Sequence, residues 1–171
     1  MKFFITFAAL ACLFTVVLAD FATVLKDIDD VNAKLSTLNK RLQGTDGTDY
    51  FADLAITGDV DNLVKSLDTA TKDFGAIDTV SVDQADQVLD KLQTSKTTST
   101  ATVDRLIAIK PGFQKAGVVG LVQSNVNKLA TSVNGFADAA VAKTPAERKT
   151  QAQSLRDSIV GDITRAQKAY A

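Results

Sequence analysis

Apolar residues recur every three or four positions from residue 20 onward, and this spacing limits the chain to helices. In the first segment the apolar positions are Phe21, Val24, Leu25, Ile28, Val31, Leu35, Leu38 and Leu42. They share one face of an amphipathic helix. Similar spacing recurs over 51–74, where Phe51 and Leu54 begin the predicted inward face, and over 82–107, 118–141 and 152–170. Because no segment alternates convincingly with the period of a strand, the sequence predicts an all-α, antiparallel bundle of about five amphipathic helices.

Glycine, proline and capping residues predict where these helices begin and end. Gly44 and Gly75 follow the first two apolar segments, and we expect each to end a helix in the left-handed backbone conformation. Residues 81–84 (Ser-Val-Asp-Gln) have the form of a capping box. Residues 144–147 (Thr-Pro-Ala-Glu) place a capping Thr before a Pro at the first helical position. The Pro-Gly pair at 111–112 predicts a turn or a sharp bend.

Two stretches leave alternatives open. Gly58 lies inside the second apolar segment and predicts either a kink or a later start of that helix. Residues 94–102 are mostly Ser and Thr, which have poor helix propensity, and they include no large apolar side chain. We predict that they form a thin polar section of one long helix, with a break in the helix as the alternative.

The first nineteen residues have the form of a secretory signal peptide, so the predicted mature domain is 20–171. Lys2 supplies a positive start, residues 3–18 are apolar apart from two Thr, and Val17-x-Ala19 offers small residues for cleavage. The apolar stretch falls short of the roughly 20 residues that span a bilayer, so a retained membrane anchor is the less favoured alternative. A bacterial lipidation signal at Cys12 is a second, also less favoured, alternative to a cleaved signal peptide. We expect a secreted protein without a transmembrane anchor.

The composition excludes most catalytic chemistry. The chain has no His, and its single Cys lies in the predicted signal peptide. Histidine and cysteine relays, thiol chemistry and histidine or thiolate metal sites are therefore excluded from the mature domain. A formal net charge of -1 argues against a nucleic-acid partner. Asp59-x-Asp61 lacks the other ligands of a calcium loop. We expect no enzyme activity, no metal and no cofactor.

The apolar interior of the bundle remains as the candidate site. A helix of about 22 residues spans roughly 33 Å, long enough to enclose an extended acyl chain. Burying a sixteen-carbon tail offers on the order of 12 kcal/mol before the costs of binding. The predicted ligand-lining residues are the inward apolar side chains Leu25, Ile28, Leu35, Leu63, Leu67, Phe74, Val88, Leu92, Leu106, Phe113, Leu121, Val126, Leu129, Val133, Phe136, Ile159 and Ile163. The alternative is that these faces simply pack against one another.

Several short motifs, taken in order, resemble those of one fungal family. They lie at 24–31 (VLKDIDDV), 106–117 (LIAIKPGFQKAG), 136–145 (FADAAVAKTP) and 166–170 (AQKAY). The chain resembles the hydrophobic surface binding protein A and cell-wall galactomannoprotein family over nearly all of the predicted mature domain. The resemblance implies a secreted five-helix bundle that adsorbs to hydrophobic surfaces, with fatty acids bound inside the bundle in some members. It also implies that adsorption helps to recruit secreted esterases.

Two functions are compatible with this resemblance. The first is a secreted, non-enzymatic protein that binds hydrophobic surfaces or fatty-acyl lipids, with a secreted esterase as a candidate partner. The alternative is a structural or antigenic fungal cell-wall mannoprotein with a closed core and a polysaccharide or protein partner. The sequence stops at Tyr170-Ala171 without a Ser/Thr-rich stalk or an apolar tail for a lipid anchor, so we expect free secretion.

Overall fold

A computed structural model describes the backbone from residue 8 and the side chains from residue 21 to the end of the chain. The predicted signal peptide, 1–19, lies outside the residues whose side chains are described, and it stays a prediction. In the described part there is no strand, and the α-helices are α1 (Ala8–Gln43), α2 (Tyr50–Ala76), α3 (Val82–Ala108), α4 (Lys110–Ala116), α5 (Val119–Lys143) and α6 (Lys149–Tyr170). The predicted all-α bundle is confirmed, with six helices instead of about five.

The five long helices form a ring in which each helix packs against two others. Their order around the ring is α1, α2, α5, α6 and α3. Long helices that follow one another in the chain run in opposite directions, but three neighbouring pairs in the ring are parallel. On α2 and α5, for example, Thr57 is bonded to Asn125 and Asp61 to Lys128, so both helices advance in the same direction. The ring therefore brings together helices that are distant in sequence.

The core inside the ring is built mainly from Leu, Val, Ile and Ala, with aromatic contacts near its two ends. Phe74 and Phe136 meet edge to face with ring centroids 5.9 Å apart. Near the other end, the centroids of Phe113 and Tyr170 are 6.4 Å apart. Among the described residues, no helix combines the length and the apolar character that crossing a bilayer would require.

The capping box predicted for α3 is present, whereas the cap predicted for α6 is not. Ser81 Oγ accepts a hydrogen bond from the backbone N–H of Gln84 at 3.2 Å, and the Gln84 side chain accepts one from the Ser81 N–H at 2.9 Å. The predicted capping role of Thr144 is wrong, because its hydroxyl donates to the carbonyl of Ala140 at 2.8 Å. Pro145 leads into a 3₁₀ helix, and α6 begins only after it.

The glycines end helices differently from the prediction. Gly44 does follow α1 directly, but the left-handed backbone predicted for Gly44 and Gly75 is wrong. In the described residues, positive φ occurs at Gly47 and Gly117. Gly75 lies within the last turn of α2, and α2 also runs through Gly58 without interruption or delay. Both left-handed glycines lie next to the short helix α4. Gly47 is in the loop that packs on this helix, and Gly117 is at its C-terminus.

The Ser- and Thr-rich stretch 94–102 is helical throughout, which confirms the prediction of a thin polar section within one long helix. The hydroxyls of Thr97, Thr98, Thr100 and Thr102 each donate to the backbone carbonyl four residues earlier. These local bonds satisfy hydroxyl groups that would otherwise lack partners at a helix interface. These four hydroxyls are therefore paired within the helix where the stretch faces neighbouring helices.

The helix α4 covers one end of the ring. Pro111 lies in its first turn, and the side chain of Phe113 is fully buried beneath it. The loop 44–49 crosses α4 so closely that a Cβ atom at Gly112 would overlap the carbonyl oxygen of Asp46. The bend lies at Ile109, before the predicted position 111–112, and it leads into a short separate helix that contains the Pro-Gly pair and closes this end of the bundle.

Candidate functional site

The ring encloses two apolar cavities that follow one another along its axis. The larger, here called the main cavity, has a volume of about 80 Å³ and is lined by side chains from all five long helices. The sequence-predicted residues that line it are Leu35, Leu63, Leu67, Val88, Leu92, Leu129, Val133, Phe136, Ile159 and Ile163. The structure thus brings ten of the predicted residues together around a single space.

Of the polar residues that border the main cavity, all except Ser99 are bonded to other protein groups. Ser95 donates to the side-chain oxygen of Asn32 at 2.6 Å. Thr102 and Thr144 donate to backbone carbonyls of their own helices. Arg156 forms ion pairs on the outside of the bundle. The main cavity therefore presents apolar surface, and no metal-binding group of three His, Cys, Asp or Glu side chains occurs in the described part of the chain.

The second space, here called the end cavity, has a volume of about 50 Å³ and lies between the main cavity and α4. The predicted residues found here, apart from those that also line the main cavity, are Leu106, Phe113, Leu121 and Val126. The two cavities share the lining residues Thr102, Val103, Leu129 and Ile163. Because these side chains form a common wall, a shift of a few of them would join the two spaces.

Three of the predicted residues line neither cavity. Ile28 and Phe74 are fully buried in the core, and Leu25 is partly buried against it. They belong to the same apolar faces as the lining residues, which is why the sequence pattern did not separate them. A periodic face shows which side of a helix turns inward, but it does not show where along the helix a gap remains.

Sequence analysis missed Asp53, a polar residue of the end cavity. Asp53 is only 3% exposed, lines the end cavity, and has no hydrogen-bond partner for either carboxylate oxygen. Burial, together with the nearby carboxylates of Asp49 and Asp46, raises the pKa of Asp53. Asp49 itself caps α2 by accepting hydrogen bonds from two backbone N–H groups. The one buried polar side chain without a partner in this cavity is therefore a carboxyl group.

The first turns of α2 present large apolar side chains to the outside. Tyr50 is 55% exposed, Phe51 80% and Leu54 50%, so the inward position predicted for Phe51 and Leu54 is wrong. Leu121, at the start of α5, is 36% exposed and also lines the end cavity. We call these four residues the outer patch. Apolar surface thus continues from the outside of the bundle, through Leu121, to the end cavity.

Comparison with protein families identifies the group to which this chain is related. Residues 21–142 match hydrophobic surface binding protein A. The chain belongs to the hydrophobic surface binding protein A family. The match to this family covers nearly all of α1 to α5 for which side chains are described, and α6 lies beyond it. Comparison with curated proteins gives no match.

This member of the hydrophobic surface binding protein A family shares its fold with several solved structures. AFMP4P in complex with palmitic acid has a TM-score of 0.84 and 25% identity, over 88% of this chain and 99% of that one. Ligand binding domain 1 of the Penicillium marneffei MP1 protein, complexed with arachidonic acids, has a TM-score of 0.80 and 18% identity, over 85% and 95%. Ligand binding domain 2 of MP1, complexed with multiple arachidonic acids, has a TM-score of 0.81 and 19% identity, over 90% of this chain and 96% of that one.

Proposed function

We propose that this protein binds fatty-acyl lipids inside the helix ring and apolar surfaces through its outer patch, without catalysing a reaction. The observation that carries the proposal is the pair of apolar cavities along the axis. Together they extend from Val118, before α5, to Thr144, after it. The 25 residues of α5 span about 37 Å. An acyl chain in one leaflet covers about half of a ~30 Å bilayer core, so the length is sufficient.

Binding of a whole acyl chain requires the ring to widen. The cavity volumes of about 80 and 50 Å³ are well below the ~300 Å³ at which sites for small molecules begin. The side chains of the common wall must move so that the two cavities merge. Residues 20–171 contain no Cys, so no disulfide within them opposes this movement. At about 0.8 kcal/mol per buried CH₂, a long tail supplies free energy that offsets the separation of the helices.

The relatives support an acyl ligand over a closed structural core. AFMP4P, at 25% identity, was solved with palmitic acid. A wall protein with a fully packed interior would not need a series of apolar cavities along its axis. We therefore favour lipid binding over the mannoprotein alternative with a polysaccharide partner.

The outer patch supports a second mode of binding, to apolar surfaces. An exposed side chain such as Phe51 releases about 25 cal/mol for each Å² of apolar area that it buries on a surface. Two further steps complete the proposal. Secretion after removal of residues 1–19 rests on the signal-peptide form of that segment, and recruitment of a secreted esterase to the coated surface rests on the family resemblance. Intact mass of the protein collected from culture medium tests secretion and cleavage after Ala19.

Titration of the delipidated secreted protein with palmitate tests the internal site. We expect saturable binding, together with a rise in thermal stability that grows with ligand concentration, because the ligand binds only the folded ring. Absence of saturable binding would refute the internal site. If the protein adsorbs to an apolar surface but does not bind palmitate, only the surface mode of binding remains supported.

A further inference from the structure

The carboxyl group of Asp53 is enclosed by the end cavity with no donor directed to it. Two polar side chains of the cavity are bonded to each other and not to Asp53: the Asn125 amide donates to Thr57 Oγ1 at 2.9 Å. From α6, the Tyr170 hydroxyl donates to the carbonyl of Leu106 at 2.7 Å. Among the described residues, no ion pair includes Asp53. Two oxygens are thus left free in an otherwise apolar space.

A buried carboxyl group without a partner is unfavourable, and proteins rarely retain one. Asp53 lies in the first turn of α2, so the partial positive charge of the helix N-terminus acts on its carboxyl group, but no backbone N–H group bonds to either of its oxygens. Most other side chains of the end cavity are apolar and cannot donate a hydrogen bond, Leu38, Ile56 and Val122 among them. A molecule that enters the cavity can therefore supply the missing donor.

We propose that the end cavity holds the head group of a single-chain amphiphile that donates a hydrogen bond to Asp53, namely a long-chain alcohol or a long-chain amine. The tail runs from the end cavity into the main cavity. This inference rests on the proposed function, since it requires the ring to take up an alkyl chain. It adds the chemical class of the head group and the residue that recognises it.

The charges around the end cavity favour neutral and cationic head groups over anions. Asp46 and Asp49 lie close enough to raise the pKa of Asp53, so three carboxyl groups surround this end of the site. A fatty-acid carboxylate is repelled here. Leu121, which spans from the end cavity to the outer patch, marks the side on which an alcohol or amine enters.

The test compares four ligands with the same ten-carbon chain by isothermal titration calorimetry: decanol, decylamine, decanoate and methyl decanoate. Methyl decanoate has a polar head but no donor. We expect decanol and decylamine to bind the wild-type protein about tenfold or more tightly than methyl decanoate, as a hydrogen bond to a buried carboxyl group implies. A preference for decylamine over decanol identifies a cationic head group, and the reverse order identifies a neutral one.

Variants at Asp53 assign the preference to this residue. Asp53→Leu removes the acceptor, so we expect it to abolish the preference for both donors while methyl decanoate still binds. Asp53→Asn keeps an acceptor oxygen without the charge, so we expect decanol to retain its advantage over the ester and decanoate to bind more tightly. Asp68→Asn, at an exposed position on the same helix, is the matched control and leaves all four affinities unchanged.

The outcomes separate this inference from the proposed function. If the wild-type protein binds all four ligands equally and Asp53→Leu changes none of the affinities, a buried water satisfies Asp53 and the inference is overturned, although lipid binding stands. If neither these ligands nor palmitate binds, the internal site itself is refuted. If Asp53→Leu fails to fold, Asp53→Asn still decides, because unchanged decanoate binding in that variant contradicts a role for the Asp53 charge.

Discussion

Filling the main cavity distinguishes a ligand chamber from a packing defect. Ala137 lies on α5, is buried, and lines the main cavity. Ala137→Leu adds three carbon atoms to a space of about 80 Å³. Filling a cavity recovers about 24 cal/mol per Å³, so complete filling would raise the free energy of unfolding by at most about 2 kcal/mol. Both Ala and Leu have high helix propensity, so the change acts mainly through the cavity.

The same substitution should weaken lipid binding. Three added carbons occupy the place of about three methylene groups of the ligand, which at about 0.8 kcal/mol each amounts to about 2.4 kcal/mol. Palmitate affinity is then expected to fall by roughly 50-fold. Stability and affinity thus change in opposite directions, as expected for a cavity that is retained for function at the expense of packing.

Thermal unfolding and palmitate titration of the delipidated variant measure the two effects. For a domain of this size, 2 kcal/mol corresponds to a rise in Tm of about 4–8 °C. Ala142→Leu, at an exposed position on the same helix, is the control and should leave both quantities unchanged. A higher Tm for Ala137→Leu with unaltered palmitate affinity would show that the main cavity is a packing defect and that the ligand binds elsewhere.

Three further predictions concern stability and adsorption. Gly112→Ala places a Cβ atom into the crossing loop and should cost about 2 kcal/mol or more in urea unfolding, whereas Gly161→Ala, in open space on α6, should gain up to about 1 kcal/mol. Burial and neighbouring carboxyl groups raise the pKa of Asp27 to about 6, so its stabilising contribution is complete below about pH 4 and is lost as the pH rises through 6. Urea unfolding should therefore show Asp27→Asn gaining stability over the wild type from pH 4 to pH 7. Phe51→Ser should lower adsorption to hexadecane droplets several-fold while palmitate affinity stays constant.

Much of the fold could be predicted from the sequence because each long helix carries its own periodic apolar face. The order of the helices around the ring could not be predicted, because an apolar face does not specify which neighbour covers it. The pairing of Asp61 with Lys128 is an example, since it joins distant segments in parallel. The short helix α4 was predicted only as a bend, because seven residues are too few to show a period.

In the candidate site, the hydrophobic pattern also fails to predict which single residues face the interior. From Leu63 the inward positions of α2 step back through Val60 and Ile56 by three and four residues, and the next step reaches Asp53, which is buried. The hydrophobic pattern places apolar residues inward, so it predicts that Phe51 faces the core and does not select Asp53. Had the register been extended by spacing alone, it would have identified the carboxyl group. A position where the helical register and the hydrophobic pattern disagree is where a functional residue is expected, because folding alone does not favour an acid inside and a phenyl ring outside.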